Sequence, residues 1–522
     1  MLEILTNERT APHPMPTRLM FWTALAIVSV FFVFMTLPLI LDQQYWFLEY
    51  PKGMHYSFSN INEYVWGEGR DINGRFSIIK LYVVYVYTLL GIRLAPTLHI
   101  SIHDYRAVID VSLFIALFWA LNFFLKGLRF RISREFKYLS SHFIRQITIV
   151  TALVFGTFAN LRWVHNGLTA YTILTYPPVI LSLVFASAVM RLLRTEIQNG
   201  HTLRSFLKLV ALAAVIAFWS NWYYELSTAT IVTITGAIIL EWRQHRESKA
   251  LKFVVRHIVT YGTMFMAIFI PTRIWSANEC ARSACYEGLK LSPSTMPITF
   301  VENILNPLPF IGVNMDLTNP SFHDWAKPMV ILLSLTVGVL SGWMLFQNIK
   351  TPLLHGIDLS RRAKYDLILR ISCVPVLAGT IGALIMSLSE RAGRLVMMGN
   401  PYRHTPATWL GYALLIALFL IFFFPRKPTI EKIFVVLLIS LATISTASHY
   451  FNVNLIWNTP LPLLTRELYP LLLEDSFPGA RQDLSCALVN SIDPESDTAK
   501  KFIPLANAYS QWKLQRDFCD TQ

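Results

Sequence analysis

Runs of about twenty apolar residues recur along the chain, and each is long enough to carry a helix across about 30 Å of hydrocarbon. A backbone surrounded by lipid must satisfy its own N–H and C=O groups, so such runs fold as helices rather than as open strands. The candidates are residues 19–41, 107–125, 146–160, 174–191, 206–220, 226–240, 257–273, 327–347, 367–388, 406–424 and 432–450. Apolar residues make up 54% of the 522 and charged residues only 15%, well outside the usual balance of soluble domains. The expected fold is an all-α polytopic membrane bundle. The first run, Leu19 to Leu41, is too long for the core of a signal peptide and lacks a small-residue cleavage site after it, so it reads as a retained span.

The formal charge of +13 would suit nucleic acid if it were gathered on a soluble face. The basic residues sit instead in short linkers between the apolar runs, where they orient a protein against the inner leaflet. Segment 77–92 decides the topology, because it is apolar but short and carries Lys80. If it crossed, the linker with Lys126, Arg129, Arg131, Arg134, Lys137 and Arg145 would lie outside. If it lies along the surface, the basic linkers 126–145, 191–208, 243–256, 350–370 and 426–432 all fall inside.

The expectation is therefore about eleven spans, an N-terminus in the cytoplasm, a C-terminus outside, and an interfacial helix in the first outer loop, residues 42–106. Residues 1–450 form the membrane domain, and residues 451–522 form a small outer cap, too short for a sizeable core of its own. The outer face then also collects 161–173, 221–225, 274–326 and 389–405. Cys280 and Cys285 share one outer loop and Cys486 and Cys519 share the outer tail, with Cys373 alone in a span. Two outer pairs fit disulfides in an oxidising compartment such as a periplasm, and free thiols are the plain alternative. No His or further Cys stands at ligand spacing, so no metal is indicated.

Side chains able to do chemistry gather on this outer face. Asp42 follows the first run directly and is either an ordinary helix-end acid or a general base for a sugar hydroxyl. Gln43, Gln44, Tyr45 and Trp46 after it suit a carbohydrate face as well as an interfacial belt. Asp71 and Arg75 flank Gly74 in DINGRF, where the guanidinium is placed to hold a phosphate or to reach lipid headgroups. Glu63 and Glu68 read as solvated loop acids. Glu225 stands beside Trp222 at the outer end of a span, and His165, Asn166 and Tyr171 precede the Tyr-Pro-Pro of the next one. Arg391, Arg394 and Arg403 lie on a face where orientation bias depletes cations, which invites an anionic partner.

Taken in order, an acid after the first span, a loop ending in NGRF, an interfacial segment, an NG-x-x-x-Y before a Pro-broken span and a later span-edge Glu make a pattern. It resembles the GT-C membrane glycosyltransferases, in particular the O-antigen glucosyltransferases, over roughly residues 19–240. The resemblance implies a sugar carried on a polyprenyl phosphate, a cell-envelope glycan as acceptor, and the outer face of a bacterial cytoplasmic membrane. It implies Asp42 as base with Asp71 as deputy, although relatives often carry two adjacent acids where this chain has Asp42-Gln43. Arg75, Arg391, Arg394 and Arg403 would take the donor phosphate, and Glu225, His165, Asn166, Tyr171 and Trp222 would line the sugar or acceptor pocket. No cofactor is expected. A flippase supplying the lipid-linked sugar and an enzyme making it would be partners. The rival readings are a lipid-linked sugar flippase or transporter, and an O-antigen polymerase or ligase.

Overall fold

A computed structural model of the chain describes residues 58–66, 77–100, 102–132, 135–158, 172–223, 225–245, 248–282, 292–305, 328–350, 361–388, 405–424, 428–457 and Cys486. The described chain is helical apart from one short ribbon. Helices α1 (Phe58–Trp66), α2 (Ile78–Thr97) and α3 (Ile102–Gly127) lead into strands β1 (Arg129–Ile132) and β2 (Glu135–Tyr138). These two strands pair antiparallel, Arg129 opposite Tyr138 and Ile132 opposite Glu135, inside what the sequence presents only as a basic linker. There follow α4 (Ser141–Phe158), α5 (Thr172–Asn199), α6 (Leu203–Trp222), a 3-10 turn at Glu225–Thr228 and α7 (Ala229–His245). The second half holds α8 (Ser248–Arg282), α9 (Met296–Leu305), α10 (Pro328–Lys350), α11 (Arg361–Ser387), α12 (Thr405–Phe423) and α13 (Pro428–Trp457).

Among the described residues, five helices are long and apolar enough to cross a membrane: Asp104–Gly127, Thr172–Asn199, Leu203–Trp222, Ala250–Asn278 and Arg361–Ile385. The protein is thus a helical membrane protein. The apolar runs 107–125, 174–191 and 206–220 each lie inside a single helix, the run 406–424 is helical as far as Phe423, and the run at 19–41 lies outside the described residues. The last helix does not stop at residue 450, because Phe451, Val453, Leu455 and Ile456 carry it on to Trp457. Helix α2 has no polar stripe: it buries Val84, Tyr85, Tyr87 and Thr88 and exposes Val86, Leu90 and Leu94.

The main core lies where α3, α4, α5, α11 and α12 meet, around Phe118, Phe124, Phe155, Ile371, Trp409 and Leu414. A second core joins α5, α6, α7 and α8 through Leu193, Leu209, Ile238 and Val254. Two helices approach so closely that only glycine fits. A β-carbon at Gly342 of α10 would stand 2.8 Å from the Ile439 Cα of α13, and Gly338, one turn earlier, faces Thr443 in the same way. Small residues four apart let two helix backbones touch where lipid gives helices no hydrophobic drive to associate.

Helix ends that face the interior are completed by side chains from elsewhere. The last four carbonyls of a helix lack intrahelical donors. Phe155, near the end of α4, accepts from Trp409 Nε1 of α12 at 2.8 Å. Gly127, the last residue of α3, accepts from Arg194 Nη2 of α5 at 3.0 Å. At the start of α6, Thr202 and Ser205 form a capping box, each accepting the other's backbone N–H.

Candidate functional site

The structure sorts the chain into two ends. At one end meet the described parts of the segments expected outside: the first turns of α3 and α5, the last residues of α6, the 3-10 turn, and α9 against α11. Here Asn303 of α9 donates to Ser387 Oγ of α11 at 2.9 Å, and the backbone N–H of Ser292 donates to the carbonyl of Leu388.

The centre of this end is an ion pair. Arg106 and Asp110, on successive turns of α3, are 0% and 1% exposed, with Arg106 Nε 3.3 Å from Asp110 Oδ2. Thr172 Oγ1, at the first residue of α5, donates to Asp110 Oδ1. A charged pair inside a membrane bundle costs desolvation that its mutual attraction only partly offsets, and such residues mark function by default. The pair lies among tyrosines. The Tyr105 hydroxyl donates to the Tyr87 carbonyl at 2.9 Å, with the two rings 5.5 Å apart. Tyr176 is buried one turn into α5, and the Tyr223 ring stacks on Trp219 at 4.1 Å with Ile79 and Val83 of α2 against it.

A carboxylate and a guanidinium held between hydroxyls and aromatic rings fix the start of α5 against α3 through charge-assisted hydrogen bonds at this end. Among the described residues no group of three or more His, Cys, Asp or Glu is placed to hold a metal ion.

Of the residues singled out in the sequence, Trp222 ends α6, half-buried and edge-on to Phe218 at 4.7 Å. Glu225 opens the 3-10 turn that packs against α5, α6, α7 and α11. Cys280 lies near the end of α8, Cys486 is disulfide-bonded and Cys373 is free. Asp42, Asp71, Arg75, His165, Asn166, Tyr171, Arg391, Arg394, Arg403, Cys285 and Cys519 lie outside the described residues. Sequence reading missed Arg106 and Asp110, since the first looks like a loop-end cation and the second like a boundary acid. The signal that reveals them is their opposite charge at i,i+4 spacing inside an apolar helix.

At the opposite end the expected inner linkers converge. Arg194 of α5 grips Glu241 of α7 with two bonds, Nε to Oε1 at 2.8 Å and Nη2 to Oε2 at 2.6 Å, while capping α3 at Gly127. Two residues on, Glu196 Oε2 takes Arg256 and His257 of α8, the latter at 2.9 Å. Both carboxylates are fully buried.

Compared with known proteins, the chain matches no family model, no curated protein sequence and no solved structure.

Proposed function

We propose that this protein is a membrane glycosyltransferase of GT-C type, with eleven spans, in a bacterial cytoplasmic membrane. It moves a sugar from a polyprenyl-phosphate donor to a cell-envelope glycan on the outer face. The observation that carries this reading is the buried Arg106–Asp110 pair, set among tyrosines at the end where Trp222, the Glu225 turn and the start of α5 come together. Charged groups set among aromatic side chains at the end expected to lie outside suit a carbohydrate substrate delivered by a lipid.

In the proposed reaction Asp42, with Asp71 as deputy, accepts the proton of the acceptor hydroxyl. The hydroxyl oxygen bonds to the anomeric carbon, and the bond from that carbon to the phosphate oxygen breaks. Its electron pair leaves with polyprenyl phosphate, whose charge Arg75, Arg391, Arg394 and Arg403 receive. His165, Asn166, Tyr171, Trp222 and Glu225 line the sugar or acceptor pocket. The chemistry needs no cofactor.

The test supplies purified protein with a panel of polyprenyl-phosphate sugars and envelope glycan, and follows release of polyprenyl phosphate by wild type and Asp42→Asn. Release by wild type that the variant loses, with donor binding intact, supports the transferase and its base. Release that survives in the variant moves the base to Asp71 or Glu225. Lipid-linked sugar crossing vesicle membranes without release would make the protein a flippase.

A further inference from the structure

The end opposite the proposed site has an unusual division of charge. Its described acids on α5 and α7, Glu196 and Glu241, point inward and are consumed by Arg194, Arg256 and His257. Arg204 and Lys208 of α6 and Lys252 of α8 are exposed, and no described carboxylate pairs with them. Arg204 and Lys208 stand one turn apart on α6, and α6 packs along α8 with Leu209 and Val254 in one buried cluster, so the first turns of the two helices, which carry the three cations, lie at the same end.

Exposed apolar side chains are interleaved with these cations: Leu203 at 74%, Leu207 at 59%, and Phe206, Leu251 and Val255. A surface that faced only water, or an acidic soluble protein, would not need large apolar groups between its charges. Alternating aliphatic and cationic groups match the boundary of a bilayer, where the stems lie in the acyl region and the charged heads reach the phosphates. The capping box takes up the Thr202 and Ser205 amides at the start of α6, and the exposed Arg204 and Lys208 side chains beside it are the cationic donors. A neighbouring feature repeats the pattern: the exposed Arg191 lies over the Phe123 ring at 4.3 Å, and Phe123 stacks on the exposed Trp119.

We infer that the α6–α8 corner, with Arg204, Lys208 and Lys252 as its donors, is a binding surface for the phosphates of anionic phospholipids. This does not depend on the reaction proposed for the other end. It discriminates by net headgroup charge, since a zwitterionic headgroup brings its own cation to compete.

The test uses the full chain in neutral detergent, titrated with phosphatidylglycerol, phosphatidylcholine or inorganic phosphate. Thermal unfolding and native mass spectrometry of retained lipid are the readouts. Wild type should retain phosphatidylglycerol in preference to phosphatidylcholine and unfold at a higher temperature with it. Each cation replaced by glutamine should weaken that retention about fivefold. The triple variant R204Q/K208Q/K252Q should unfold at the wild-type temperature in detergent alone, and the charge-preserving R204K/K208R/K252R should keep the preference. Equal retention of the two lipids, or an unchanged preference in the glutamine variant, overturns the inference. Stabilisation by inorganic phosphate equal to that by phosphatidylglycerol overturns it in favour of a free-anion site.

Discussion

The hydroxyl of Tyr223, at the end of α6, donates to the carbonyl of Ile173, in the first turn of α5. The α-helical partner of that carbonyl would be the N–H of residue 177, and residue 177 is proline. One side chain thus repairs the gap that Pro177 opens and fastens α6 to α5 beside the Arg106–Asp110 pair. Tyr223→Phe keeps the ring and its stacking on Trp219 but removes the donor. The expected cost is about 1–3 kcal/mol for a buried carbonyl left unsatisfied, read from the midpoint of chemical unfolding in detergent. An unchanged midpoint would mean that water serves the carbonyl equally well.

Asp110 should be costly to remove alone and cheaper to remove with its partner. Asp110→Ala strands the buried Arg106 charge without this carboxylate and is expected to destabilise by roughly 3–5 kcal/mol. The double variant Arg106→Leu/Asp110→Leu removes both charges and should recover much of that loss. A double-mutant cycle closed with the single variants Arg106→Leu and Asp110→Leu, read on unfolding midpoints, measures the coupling. Additive losses would show that the two side chains do not act as a pair.

The helices could be read from sequence because a membrane chain writes each one as an apolar run, and the run 406–424 became the helix Thr405–Phe423. The pairing of side chains could not be read in the same way. Arg194 and Glu196 look like ordinary charges of a basic linker, and only tertiary packing shows that α5 carries both past the apolar core into contact with α7 and α8. The β1–β2 ribbon was hidden for a related reason. Its residues alternate over only four positions per strand, too few to stand out against the linker's charge. At the other end, Trp222 and Glu225 stand out in the sequence, and the structure places them at the end of α6 and in the 3-10 turn. The Arg106–Asp110 pair on α3 was harder to see, because opposite charges four residues apart signal pairing, while their burial comes from the helices packed around them.

Arg194 is expected to resist replacement by lysine. Its guanidinium spans both oxygens of Glu241 and also reaches the Gly127 carbonyl. A lysine ammonium is a compact point charge and cannot reproduce that planar fork. Arg194→Lys should therefore lose at least one charge-assisted bond, about 1.5–3 kcal/mol, despite keeping the charge. Hydrogen exchange should quicken around the end of α3 in this variant while the Tyr223 region stays as in wild type. Equal protection in both proteins would argue that charge alone holds this end together.

Two glycines provide opposite expectations for the same substitution. An alanine β-carbon at Gly342 would stand 2.8 Å from the Ile439 Cα, closer than real β-carbons come, so α10 and α13 must move apart. Overpacking of this kind costs about 1–3 kcal/mol. Gly262, inside α8, has nothing within 4 Å of its would-be β-carbon. Alanine there adds no clash and removes a residue that lowers helix stability by up to about 1 kcal/mol. Gly342→Ala should lower the unfolding midpoint and Gly262→Ala should raise it or leave it unchanged. A midpoint for Gly342→Ala equal to that of wild type would show that the α10–α13 contact is looser than the geometry requires.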